Sequence, residues 1–425
     1  MKTRGSELVL KDNKSPPKKK QRQHATALDV AVSGSGQVPF SQERSRSVSM
    51  SSDGEAYSER AKQLDITKGP GTPTRKKLQK DPYCDPDNPV KVQFQEISHA
   101  MYTIRGGVER TPYISVTVVM PVHAPIMKVS RCRSFGATVI VKGNDMREAK
   151  ELAMQTALEQ DLTYINGYDH PDILAGQGTV ALEILEQISQ IDAVVIPVGG
   201  GGLVAGMAVA LKYLQPSITV VGVEGDSCPA FSRSIEAGHL IPVRPEWTLA
   251  DGLSVPVVGV NAFSTAMAHI DKMVTVSEDY IALAILRLIE IEKAVVEGAG
   301  AVGVAALLAN KLPELKGKRV VIPLTGGNID TTVLGRCIER GLAEDGRLVR
   351  FECCTSDRPG GMAELTALLA QVGASIKDIF HERAWLRTDV FHVKVKVVCE
   401  TRDWNHAQEL EQILRQHYPD LVFVK

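Results

Sequence analysis

A chain of 425 residues with 44% hydrophobic and 23% charged residues has ordinary globular composition and room for two domains and a tail. Its formal net charge of -1 excludes a global pull towards nucleic acid or an acidic membrane surface. No run approaches the roughly 18 apolar residues that span a bilayer, and the opening MKTRGSELVLKDNK lacks an apolar signal core. The expectation is therefore a soluble, cytoplasmic protein.

Residues 1–88 are rich in Lys, Ser, Pro, Gly and Gln and nearly empty of periodic apolar positions, the composition of a disordered tail. Within it, Lys18-Lys19-Lys20-Gln21-Arg22 reads as a solvated charge run, with a nuclear-import or anionic-surface patch as the sharper alternative. In Arg44-Ser45-Arg46-Ser47-Val48-Ser49 serines lie close behind arginines in a pattern that basophilic kinases accept, and Ser15-Pro16 and Thr72-Pro73 suit proline-directed ones.

Order is expected from about Val90, beginning with helical spacing over Phe94–Ile104. The β-branched run Ser115–Met120, closed by Pro121, predicts a buried strand, and Ala137–Val141 predicts another before Gly143. Asp145 caps an amphipathic helix reaching about Gln160. Strands are then predicted at Ala193–Val198, Ile218–Val223 and Arg319–Leu324, with a helix after Leu203. Strands alternating with helices give an α/β fold on an open, mostly parallel sheet. From residue 347 the pattern becomes strand 348–354, helix 361–371, strand 375–379, strand 390–398, helix 406–416 and strand 421–424, the ferredoxin-like βαββαβ order. The seven cysteines are Cys84, Cys132, Cys228, Cys337, Cys353, Cys354 and Cys399; they show neither CxxC nor metal-ligand spacing and suit free thiols in a reducing compartment.

The sharpest chemical signal is Gly199-Gly200-Gly201-Gly202-Leu203, directly after an apolar strand. Four glycines between a strand and a helix let backbone amides converge on a phosphate at the helix's positive end. A dinucleotide site fits less well, because the spacing is not GxGxxG. Leu324-Thr325-Gly326-Gly327-Asn328 follows another strand and offers a hydroxyl to a ring nitrogen of a flat cofactor. Glu297-Gly298-Ala299-Gly300-Ala301 sets one carboxylate before a small-residue helix start; close helix packing explains the glycines equally well.

Together these residues resemble the threonine/serine dehydratase family of fold-type II pyridoxal-phosphate enzymes, which includes serine racemase. The resemblance runs from about Val92 to Arg347 through VTVVMPVHAPIMK (116–128), GATVIVKG (136–143), DHPDILAGQGTVALEILEQ (169–187), PVGGGGLVAG (197–206), ADGLSV (250–255), EGAGAVGVAAL (297–307) and LTGGN (324–328). It implies that Gly199–Gly202 and Leu203 hold the cofactor phosphate, that the Thr325 hydroxyl bonds the pyridine nitrogen where relatives carry Ser or Cys, and that Glu297 and Asn328 complete the cofactor site. It implies β-elimination of threonine or serine to a 2-keto acid and ammonia, with the cofactor as electron sink and a lysine as Schiff-base partner. Asp357-Arg358-Pro359-Gly360-Gly361 and Asp378–Arg383 resemble an ACT-type regulatory domain, implying homo-oligomers or hetero-oligomers with a full-length form. The expected domains are thus 89–346 and 347–425.

The resemblance breaks at one place. The Ser-Phe-Lys motif that should carry the lysine, and the Ser-Gly-Asn-His loop that should grip the substrate carboxylate, are absent. Arg110-Thr111-Pro112-Tyr113-Ile114 runs straight into Ser115-Val116-Thr117-Val118 where the family has a strand, a lysine helix and a loop. The expectation is an internal deletion near 114/115, no catalytic residue to assign, and little or no dehydratase activity. Lys128, placed by sequence after a strand-turn at the sheet edge, and Lys142 and Lys150 read as poor substitutes. Glu224-Gly225-Asp226 matches where some relatives hold a divalent cation, but Ala230 stands at the partner position, so a structural or solvent-facing role for Glu224 is expected and no metal. A pseudoenzyme acting as an oligomerisation partner is the competing reading, and a nucleotide-binding regulator a remote third.

Overall fold

The computed structural model describes residues 81–104, 116–384 and 390–424, apart from Pro125 and Asp145. Residues 1–80 of the predicted tail, the junction at Ile114 and Ser115 and the Asp145 cap lie outside them; residues 81–88, predicted as its end, instead pack on the fold, with Asp81 and Cys84 buried and Tyr83 O bonded to Asn261.

The described residues open with α1 (Phe94–Ile104), β1 (Thr117–Met120), α2 (Ile126–Ser134), β2 (Thr138–Val141) and α3 (Met146–Glu159). β1 and β2 pair in parallel as a two-stranded sheet, Thr117 beside Thr138. Then come α4 (Pro171–Gln187), β3 (Ala193–Pro197), α5 (Gly202–Leu214), β4 (Thr219–Gly225), α6 (Ala230–Ala237), α7 (Val260–Ala266), β5 (Lys272–Val276), α8 (Glu278–Arg287), α9 (Gly298–Leu308), β6 (Val320–Val321) and α10 (Thr331–Glu344). Their strands form a four-stranded parallel sheet in the order β5-β4-β3-β6.

That sheet is covered on both faces, as parallel sheets with crossover helices are. Period-two alternation sends Val194 and Ile196 of β3 into a core with α1, α4, α5 and α7. It sends Ala193 and Val195 into a second core with α8, α9 and α10. Two departures from the sequence reading are physical. β6 is only Val320–Val321, because Pro323 has no N–H to donate and the chain leaves the ladder before it. β5, an alternating KMVTV edge strand, was not predicted.

The C-terminal region is β7 (Leu348–Ser356), α11 (Gly361–Val372), β8 (Ser375–Glu382), β9 (His392–Glu400), α12 (Trp404–His417) and β10 (Val422–Val424). The antiparallel order β10-β7-β9-β8 is the predicted ferredoxin-like sheet. Val393, Val395 and Val397 of β9 alternate inward against Leu365, Leu369, Leu410 and Leu414 of α11 and α12. Among the described residues, no helix is long and apolar enough to cross a membrane.

Candidate functional site

β3 is fully buried and delivers residues 199–202 to the carboxyl end of the parallel sheet, the edge where such sheets bind ligands. Gly201 has φ 93°, a left-handed turn that only glycine takes without strain, and it starts α5. No side chain caps that helix. Its first amides, at the positive end of the peptide dipoles, are left for an anion or water. Gln177 Oε1 is buried without a partner, 2.9 Å from where a Cβ on Gly202 would stand.

The position of α5 is set one turn further on, where it crosses α4. A Cβ on Gly206 would fall 2.2 Å from the Leu174 carbonyl oxygen and 2.6 Å from the Gly178 nitrogen, so the backbones meet directly. Behind the glycine loop, Gly259 N donates to Gly200 O at 2.9 Å. The ring of Tyr168 lies against Gly200, and burial, reinforced by Asp169, pushes its hydroxyl up to about 12. Asp169 is itself buried and accepts from Val260 N at 3.0 Å and Ala262 N at 2.9 Å, which caps α7. Burial raises the Asp169 carboxyl above its usual range, while those amides pull it back. The segment before α1 docks on the same place: Asn261 accepts from Val90 N and donates to Tyr83 O and Asp169 O.

Three further segments converge on the loop. Leu253 Cα lies 2.9 Å from the position of a Cβ on Gly199, so residues 250–253 run alongside the glycines. The Leu249 carbonyl and Ala250 nitrogen press on Gly298, at the start of α9. Glu297 N donates to Gly326 O at 2.9 Å, and its carboxylate lies against Gly326, which binds the 297–300 and 324–328 stretches together. The structure therefore gathers Gly199–Gly202, Leu203, Glu297, Thr325 and Asn328 at one end of one sheet, with Thr325 and Asn328 exposed.

Sequence reasoning missed what lies opposite. α2 places Lys128 and Arg131, three residues apart on one helix face, against this gathering. Lys128 Nζ is 2.7 Å from Asp251 Oδ2, and Arg131 Nη1 donates to Asn328 Oδ1. Lys128 thus stands on a helix facing the cleft and not at a sheet edge. The one signal was the IMKVSRCR spacing, which is mute without knowing what α2 faces.

Glu224 is 1% exposed, which settles its role as structural and not solvent-facing. Its carboxylate accepts from Phe231 N at 2.7 Å, Ser232 N at 2.9 Å and Ser232 Oγ at 2.6 Å, the first turn of α6. Burial raises its carboxyl, and those donors oppose the rise. Among the described residues, no group of three or more His, Cys, Asp or Glu is placed to hold a metal ion.

Residues 110–326 match the family described as "Pyridoxal-phosphate dependent enzyme". The chain is 41% identical over 301 residues to an L-threonine ammonia-lyase of Thermotoga maritima, covering 71% of this chain and 75% of that protein. It is 38% identical over 294 residues to the Geobacter sulfurreducens L-threonine ammonia-lyase, covering 69% and 73%. Among solved structures, the processed form of threonine deaminase isoform 2 from Solanum lycopersicum superposes with TM-score 0.51 at 30% identity, covering 59% of this chain and 79% of that one. Serine racemase from Dictyostelium discoideum, at TM-score 0.50 and 24% identity over 57% of this chain and all of that one, shares the fold.

Proposed function

The chain belongs to the threonine/serine dehydratase family of pyridoxal-phosphate enzymes, and from that premise we propose that it keeps the family's cofactor grip while having lost the lysine-dependent step. The uncapped N-terminus of α5 behind Gly199–Gly202 carries the reading. The phosphate end of pyridoxal phosphate fits there by chemistry: a dianion meets convergent amides at a positive helix end that no side chain caps. When bound, the cofactor supplies an electron sink for negative charge at the substrate α-carbon.

The chain's own residues would act around it. Leu203 and the glycine amides hold the phosphate, the Thr325 hydroxyl bonds the ring nitrogen, and Glu297 and Asn328 border the ring. The substrate class is a β-hydroxy amino acid, threonine or serine. Removal of its α-proton needs a base at that carbon, and the sequence carries no Ser-Phe-Lys segment to supply one. Loss of such a positioned base costs roughly 10²–10⁴-fold. The test is 2-keto acid formation from threonine and serine by the pure chain with pyridoxal phosphate. A second chain has the relative's lysine segment inserted between Ile114 and Ser115. Turnover should appear with the insertion; comparable turnover without it would sink the reading.

A second reading, a non-catalytic partner of full-length chains, is supported by β8. It lies at the edge of its sheet with Ile379 and Phe380 exposed. An ACT-type domain that pairs there would give species above monomer mass in sedimentation, reduced by Phe380→Glu; a monomer at all concentrations would exclude it.

A further inference from the structure

We propose that Lys128 is the amine that captures the cofactor aldehyde in this chain, a role resting on the phosphate grip proposed above. The argument is one of placement. Lys128 Nζ is held at Asp251 Oδ2, 2.7 Å away. Asp251 begins the short turn Asp251–Leu253, and Leu253 Cα abuts Gly199 at the phosphate loop. Two residues of chain span at most roughly 7 Å, about the reach of the lysine side chain itself. The same helix face is fixed a second time, by Arg131 on Asn328 at the opposite loop. α2 therefore holds the Lys128 amine between the two loops that flank the cofactor site.

Four other lysines among the described residues are directed elsewhere. Lys212 pairs with Asp271 near the far end of the 13-residue α5, roughly 15 Å from the glycines by helical rise. Lys272 begins β5, at the end of the sheet opposite the loops, and pairs with Glu314. Lys377 and Lys396 bond partners within or beside the C-terminal sheet. Lys128 is also free to change partner, because its side chain is 34% and that of Asp251 46% exposed, and an ion pair so open to water is weak.

The chemistry balances without an oxidant or reductant. The Lys128 ammonium first gives a proton to water, directly or through Asp251. The neutral amine adds to the aldehyde carbon, a C=N bond replaces C=O, and the oxygen leaves as one water molecule. This amine comes from α2 and not from the missing helix. Attachment therefore does not by itself restore proton transfer at the substrate α-carbon.

The full chain would be incubated with equimolar pyridoxal phosphate, reduced with borohydride and mapped by peptide mass. Phosphorus NMR on an unreduced sample would follow the cofactor phosphate. One pyridoxyl phosphate group is expected on the peptide carrying Lys128, lost in Lys128→Arg and kept in Lys142→Arg. Arginine retains the charge facing Asp251, so an unchanged melting curve for Lys128→Arg is expected and separates loss of the amine from loss of fold. A shifted phosphorus resonance with no adduct, or an adduct on another lysine, overturns the Lys128 assignment and leaves the phosphate grip standing. No shift and no adduct overturns both.

Discussion

The two parallel sheets of this chain obey the same ladder chemistry and end in opposite states. In the four-stranded sheet every residue of β3 is buried, and helices cover both faces. In the two-stranded sheet no residue of β1 or β2 is fully buried, and neighbouring Ile126 and Phe135 are 81% and 87% exposed. A parallel pair needs cover on both faces, and two strands cannot supply it. The small sheet follows directly on the place where the sequence carries no Ser-Phe-Lys motif. The helix between its strands, α2, is tied to the rest of the fold by side chains, Lys128 on Asp251 and Arg131 on Asn328.

This contrast can be broken or sharpened by substitution. Ile196→Ala in β3 should cost about 2–5 kcal/mol, because a wholly buried side chain leaves a cavity between sheet and helices. The denaturant midpoint measures it, and a cost near zero would mean that the large sheet is not the stable body. Glu224→Gln should cost roughly 1–3 kcal/mol, since an amide NH₂ would confront the Phe231 or Ser232 N–H. The pH dependence has a definite sign. Burial raises the folded Glu224 carboxyl, so the native state binds more protons than the unfolded chain around and above the ordinary carboxylate range. Its contribution to stability therefore falls as pH rises through that window, and Glu224→Gln should flatten the fall.

Val119→Ala in β1 should cost less than about 1 kcal/mol, because that side chain is only partly buried. Amide exchange should show 117–120 opening well before 193–197. The smallest effect is one of order. A soluble thiol reagent should modify half-exposed Cys132 on α2 before Cys228 and Cys337, whose thiols are buried and held above their usual range by that burial. Equal rates at the three, followed by peptide mass, would erase the difference between the two bodies.

Most of this fold was legible because periodicity reports burial. Phe94–Ile104 was expected as a helix and is one, and the βαββαβ order of the last domain follows alternation that β9 keeps over nine residues. The parallel sheet and its glycine loop were readable from apolar runs broken by glycine. β5 was not, since a five-residue edge strand that is mostly half-buried carries little pattern. β6 was overestimated, since RVVIPL reads as a strand until the proline's missing donor is counted. In the site, the glycines and the 324–328 loop declared themselves by residue type. The Lys128–Asp251 meeting joins positions 123 apart and rests on how α2 is seated, which no local pattern encodes.

The crossing of Gly206 over Leu174 and Gly178 has a bearing on how this protein would lose its ligand. That contact lies one helical turn, roughly 6 Å along the axis, beyond Gly202. Any side chain there must lift α5 off α4, and the same rigid rod carries the amides of the glycine loop. Hereditary or engineered changes that abolish cofactor retention should therefore arise at a site that no ligand atom reaches, in chains that still fold and express. A survey of variants confined to residues near the cofactor would miss them, and a screen on retained cofactor across α4 and α5 would find them first.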